Sequence, residues 1–233
     1  MTRQTAIIVG AGPGLSAALA RLLAREGMQV AVAARNITKL ADLIKETGAR
    51  GYTCDVSRAQ DVARLFEQTD ADLGPPDLVV FNAGGRYRGA IETLDPDKVL
   101  EAHLVGAHGG FLVAQAAAKR MLARGSGSIF FTGATASVKS LPQSTPFAMP
   151  KFALRALAQG LARELAPKNI HVAHFIIDGG IAGTGAGRTP ADGGEADKWL
   201  DPDAIAANYL SLHRQHRSAW TWEVELRPWV ERF

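Results

Sequence analysis

Short apolar runs alternate with longer amphipathic stretches along this chain. Ala6-Ile7-Ile8-Val9 is apolar at every position and ends in glycine, the pattern of a strand buried on both faces. Residues 15–27 then place Leu15, Leu19, Leu22 and Leu23 at helical spacing and stop at Gly27. The same alternation predicts further strands at 30–33, 51–54, 78–81, 128–131, 170–177 and 220–226. Helices are predicted over 36–47, 61–70, 95–124, 151–166 and 203–212. Strands alternating with helices imply a parallel sheet covered on both faces. The expected fold class is α/β, a single doubly wound domain over residues 1–233. Its sheet is seven-stranded and mostly parallel, with helices on both faces. No internal repeat or linker interrupts the pattern.

Composition narrows the classes. The 233-residue chain is 47% hydrophobic and 21% charged, proportions ordinary for a globular domain with a substantial core. Its 26 basic and 23 acidic residues leave a net charge of +3, scattered and without a basic block suited to nucleic acid. A single cysteine, Cys54, excludes an internal disulfide and a Cys-rich metal site. The first apolar run is too short for a signal peptide, and none approaches the ~18 residues of a membrane span. A cytoplasmic protein with no metal, no membrane and no nucleic-acid partner is expected.

The first strand runs into Gly10-Ala11-Gly12-Pro13-Gly14-Leu15-Ser16, where a helix begins. Glycine is needed where such a loop turns tightly and where backbone approaches a pyrophosphate. The helix N-terminus offers N–H groups and a positive dipole end to phosphates. As G-x-G-x-x-G the match fails at Leu15; as G-x-x-x-G-x-G it holds at Gly10 and Gly14 and fails at Ser16. Strand, loop and helix in this order nonetheless point to a Rossmann-like dinucleotide site. At the end of the second strand a carboxylate would favour NAD, but Ala33-Ala34-Arg35-Asn36 offers a guanidinium instead. Arginine pairs with a 2′-phosphate, so NADP is expected over NAD.

These residues together resemble the short-chain dehydrogenase/reductase family. The matching pieces are the loop 10–16, Asp55-Val56 after the third strand, Asn82-Ala83-Gly84 after the fourth, and Lys151 with its helix. Residues 161–166 and 170–172 also look like the family's segment after the lysine. Asp178-Gly179 stands where the family usually has Pro-Gly. The resemblance implies that Gly10, Gly12, Pro13, Gly14 and Leu15 cradle the phosphates. It has Asp55 accept from the adenine amino group, with Val56 packing beside it. Asn82, Ala83 and Gly84 would lie against the adenosine ribose, and Lys151 would bind the nicotinamide ribose hydroxyls. Ile181 would offer backbone groups to the carboxamide, and residues 183–199 would form a substrate lid. A homodimer or homotetramer is implied through the helices 95–124 and 151–166, and Trp220, Trp222 and Trp229 suit an edge buried between subunits.

The departures from the family pattern cluster in its catalytic set. The family's tyrosine aligns with Phe147, its serine with Ala134, and its long-helix asparagine with His103; Lys151 is kept. Phe147 neither donates nor accepts a proton, and general acid–base help is worth ~10²–10⁴-fold. His103 is one candidate for a substitute route, since imidazole titrates near pH ~6.5. It also reads as a packed helix histidine. Asp178, Thr135, Ser137 and Ser144 are further candidates, and Lys151 itself could hold a water. Two functions stay open. One is an NADP-dependent oxidoreductase acting on a small carbonyl/alcohol pair, or on an activated C=C or C=N. The other is a cofactor-binding protein without turnover.

Overall fold

The computed structural model describes residues 3–183 and 198–231. Seven strands form one sheet: β1 (Thr5–Val9), β2 (Gln29–Ala34), β3 (Arg50–Thr53), β4 (Leu78–Phe81), β5 (Gly127–Thr132), β6 (Ile170–Ile177) and β7 (Glu223–Leu226). Their order is β3-β2-β1-β4-β5-β6-β7, and every pairing is parallel. The order reverses between β1 and β4. In an open parallel sheet the ligand crevice lies outside the strand carboxyl ends at such a switch point.

Among the described residues, seven α-helices cover the sheet: α1 (Leu15–Arg25), α2 (Ala41–Thr47), α3 (Ala59–Leu73), α4 (Pro96–His103), α5 (Gly109–Arg124), α6 (Thr145–Leu165) and α7 (Pro202–His213). Alternate strand residues face opposite layers, as the period of two requires. Ala6, Ile8, Val80 and Phe130 pack with Leu19 and Leu23 of α1 and Tyr209 of α7. Ile7, Val9, Phe81 and Phe131 pack with Phe66 of α3, Val113 of α5 and Leu154 of α6. Tyr209 stacks on Phe175 with centroids 3.6 Å apart, and its hydroxyl meets Thr132 Oγ1 at 2.8 Å.

Four of the departures from the sequence expectation have a visible physical cause. The helix expected over 95–124 is broken: Leu104–His108 makes a π turn between α4 and α5. There Gly106 crosses α6 so closely that a Cβ would lie 2.9 Å from Pro150 Cβ. The stretch expected as one helix at 36–47 opens with a 3-10 turn, Ile37–Leu40, because Asn36 accepts from Thr38 N at 3.2 Å and fixes a tighter entry. The helix expected from 151 begins at Thr145, with Pro146 in its first turn, so Phe147 and Lys151 share one helix. The last strand is only Glu223–Leu226, since Trp220 leaves the ladder to stack on His171 at 4.7 Å. Trp220 is therefore spent on this chain's own packing. Trp222, beside Arg155, and Trp229 are both exposed. Most of the segment expected as a lid, 184–197, lies outside the described residues.

Candidate functional site

Because β1, β4, β5 and β6 run parallel, their carboxyl ends deliver Gly10, Asn82, Gly133 and Asp178 to one edge of the sheet. Gly10 has φ +86°, and a Cβ there would collide with the Ala83 main chain. Both features demand glycine. Ser16, where the glycine pattern fails, has its own task. Its Oγ donates to Gly10 O at 3.3 Å and accepts from Asn82 Nδ2 at 2.7 Å, tying the loop to the end of β4. Among the described residues no side chain caps α1, and no acid sits in its first turn, so its positive end is left for an anion.

A cavity of about 400 Å³ runs from this loop across the sheet edge. Gly10, Gly12, Pro13, Gly14, Leu15 and Ser16 line one end; Lys151, Phe147, Ala134 and Ile181 line the other. Lys151 is buried at 8% exposure, and its Nζ donates to Thr132 O at 2.7 Å. Burial pushes its ammonium down to about 8. A Cβ on Gly84 would sit 3.7 Å from Nζ, so this glycine keeps the approach to the lysine open. Phe147 lies one turn earlier on the same face of α6, packed with Ala134, Ala136 and Ala148. The Arg86 guanidinium stands over its ring, 5.7 Å from the centroid.

A smaller cavity of about 190 Å³ adjoins the loop on the β2 side and is lined by Arg35, Asp55, Val56, Asn82, Ala83 and Gly84. Asp55 Oδ1 accepts from Ser57 Oγ at 2.7 Å and Ser57 N at 3.0 Å, and that hydroxyl helps hold the carboxyl below its usual range. Arg35 is mostly exposed; among the described residues it makes a long 3.7 Å contact to Glu101, and its charge helps lower the Asp55 carboxyl. Every residue expected to touch the cofactor thus lines one of these two cavities.

The proton-route candidates are placed differently. His103, at the end of α4, lines neither cavity, and its Nδ1 is buried without a partner among the described residues. Asp178 is held by Thr135 Oγ1 at 2.6 Å and by Arg227 at 3.2 Å, and it lines a neighbouring cavity instead. Ser137 is fully buried and accepts from Ala134 N at 3.1 Å.

A family model described as short chain dehydrogenase matches residues 4–189. The chain belongs to the short-chain dehydrogenase family. An oxidoreductase of Staphylococcus aureus (strain N315), described as uncharacterized, is 29% identical over 234 residues, 98% of each chain. Among solved structures, a short-chain dehydrogenase from Rhodopseudomonas palustris superposes with a TM-score of 0.84 at 36% identity, over 97% of this chain and 99% of that one. An alcohol dehydrogenase from the archaeon Thermococcus sibiricus, complexed with 5-hydroxy-NADP, gives 0.85 at 27% identity, over 99% and 98%. The glycine loop and Lys151 of this short-chain dehydrogenase were legible in its sequence; Arg86, Ser16 and Thr132 were not. A signal existed only for Arg86, a cation four residues past Asn82 at the strand-four exit. Thr132 acts through a main-chain carbonyl, which no residue type announces.

Proposed function

We propose that this short-chain dehydrogenase is an NADP-dependent oxidoreductase whose reaction does not use a tyrosine acid. The residues present fit a dinucleotide. The loop lacks a Cβ where backbone must approach, α1 offers its positive end, and the cavities continue from Asp55 to Ile181. Arg35 at the adenine end supports NADP over NAD through a charge-assisted contact to a 2′-phosphate. The resemblance places Phe147 at the tyrosine position, and the structure puts it against the cavity one turn before Lys151.

The observation that carries the reading is the lining of the 400 Å³ cavity at its Lys151 end. The only ionisable side chains among its described lining residues are Lys151 and Arg86. A bound nicotinamide supplies the hydride; the chain has to orient the acceptor and provide a proton. Lys151, with its ammonium near 8, is an acid that can serve at neutral pH. An activated C=C or C=N suits this site better than a simple ketone, because its reduction places less charge on an oxygen lacking a phenol. The same lining favours a second reading, cofactor binding without turnover, since neither His103 nor Asp178 reaches this cavity.

The test is NADPH oxidation across matched ketones and enones, with Phe147→Tyr and His103→Ala alongside the parent. Enone turnover by the parent is expected, with ketone reduction raised ~10-fold or more in Phe147→Tyr and little change in His103→Ala. Tight NADPH binding with no turnover of any acceptor would establish the second reading.

A further inference from the structure

A further cavity of about 190 Å³ opens on the α4 side of the sheet edge, with Arg35, Gly84, Tyr87, Lys98, Glu101 and Val105 in its lining. It shares Arg35, Gly84 and Val105 with the cavity that holds Asp55. Among the described residues, Arg35 is the one charged side chain common to the two linings. Its guanidinium therefore stands between two acids, Asp55 in one cavity and Glu101 in the other.

The two acids are engaged differently. Asp55 Oδ1 already accepts from the Ser57 hydroxyl and main-chain N–H, and its Oδ2 lies 4.0 Å from Arg58 Nε. Glu101 Oε1 lies 3.7 Å from Arg35 Nη1, and that contact is its ion pair among the described residues. Lys98, one turn earlier on α4, faces Asp95 at 4.0 Å and the Tyr87 ring at 6.0 Å. A 2′-phosphate carries close to two negative charges and binds a guanidinium through charge-assisted hydrogen bonds. A carboxylate beside the same guanidinium competes for its N–H donors. The Arg35 and Glu101 side chains are 68% and 65% exposed, so the competition has the strength of a surface ion pair.

We propose that Glu101 is a specificity-determining residue for the cofactor, one that works against the 2′-phosphate. Its carboxylate draws the Arg35 guanidinium toward α4 and away from the adenine end. The preference for NADP is thereby held below what Arg35 alone would give. NADH is left nearly untouched, because its 2′-hydroxyl carries no charge for Arg35 to meet. The proposal rests on the reading of Arg35 as the 2′-phosphate contact and adds the residue that opposes it. Glu101 acts through Arg35 and takes no part in hydride transfer.

The experiment titrates NADPH and NADH by fluorescence into the parent, Glu101→Gln, Arg35→Ser and the double variant. Asp97→Asn, an exposed acid on the same helix, is the charge control and should leave the NADPH-to-NADH ratio as it is. Glu101→Gln is expected to tighten NADPH about two- to fivefold, the worth of an exposed ion pair, and to leave NADH unchanged. The gain should shrink as salt is raised and disappear in the Arg35→Ser background. Equal gains for the two nucleotides overturn the proposal, as does the same NADPH gain without Arg35. Weaker NADPH binding in Glu101→Gln also overturns it, since Glu101 would then orient Arg35 for the phosphate. A parent that binds both nucleotides equally, turned toward NADPH by Glu101→Gln, removes the NADP reading and keeps the proposal. A parent that prefers NADPH through Arg35, with Glu101→Gln inert, keeps that reading and overturns the proposal.

Discussion

Lys151 Nζ donates to the main-chain carbonyl of Thr132 across 2.7 Å, in a pocket where burial lowers its hold on the proton to about 8. The unfolded lysine titrates near 10.5. Between those values the unfolded chain binds more protons, so this group's contribution to stability rises with pH. Below pH 8 the cost of the buried cation is present in full. Lys151→Met should therefore differ from the parent by an amount that shifts by on the order of 3 kcal/mol between about pH 7 and about pH 10. Urea unfolding of both proteins across that window checks it. A gap that stays constant with pH would show that Lys151 is not a buried cation.

Arg35 stands at the exit of β2, mostly exposed, with a long 3.7 Å contact to Glu101 and the Asp55 carboxylate within electrostatic reach. Arg35→Ser should weaken NADPH binding by about tenfold, a little over 1 kcal/mol for an exposed charge-assisted contact, and leave NADH nearly unchanged. Fluorescence titration with both nucleotides measures the ratio. Equal losses for the two would assign Arg35 a role other than reading the 2′-phosphate.

His174 is fully buried beside Glu223, with Nδ1 3.0 Å from Oε2, while Arg155 grips the same carboxylate at 2.6 and 2.7 Å. Burial outweighs the carboxylate and pushes the imidazole down to about 4 from 6.5. The unfolded chain then takes up more protons between those values, and stability drops as pH falls from 6.5 towards 4. His174→Gln should flatten part of that acid slope, read as the melting temperature between about pH 7 and about pH 4. His213, also pushed down to about 4 by burial, should leave a residual slope in the variant. An unchanged slope would mean that His174 is already charged in the folded protein.

Gly10 combines a left-handed backbone with contact against Ala83. Gly10→Ala should cost about 1–3 kcal/mol of stability from backbone strain and collision, and more in NADPH affinity. Chemical denaturation and nucleotide titration separate the two losses. Gly12→Ala is the control, because nothing lies within 4 Å of a Cβ there. It should keep stability, so any loss it shows in NADPH binding reports on the ligand side of the loop alone.

Much of this arrangement was legible because it is written in residue type and spacing. The strand Ala6-Ile7-Ile8-Val9, the glycines of loop 10–14 and the Asn82-Ala83-Gly84 exit each carry their own local signal, and the parallel order follows from the strand–helix alternation. The missing pieces depend on partners distant in sequence. Ser16 reads as a failed glycine position until Asn82, 66 residues away, is seen to bond it. Asp178 reads as a free acid at the nicotinamide end until Thr135 and Arg227 close on it. The π turn at Leu104–His108 leaves the apolar periodicity nearly intact, so the stretch 95–124 reads as one uninterrupted helix.

That π turn ties two distant parts of the cleft together. Gly106 within it rests on Pro150, the residue before Lys151, and Gly109 just after it rests on Val56, the residue after Asp55. Four residues of helix thus act as a spacer bar between the hydride end and the adenine end. The wider turn sets the length of that bar, so removing one residue from it would shorten the span that a dinucleotide has to bridge.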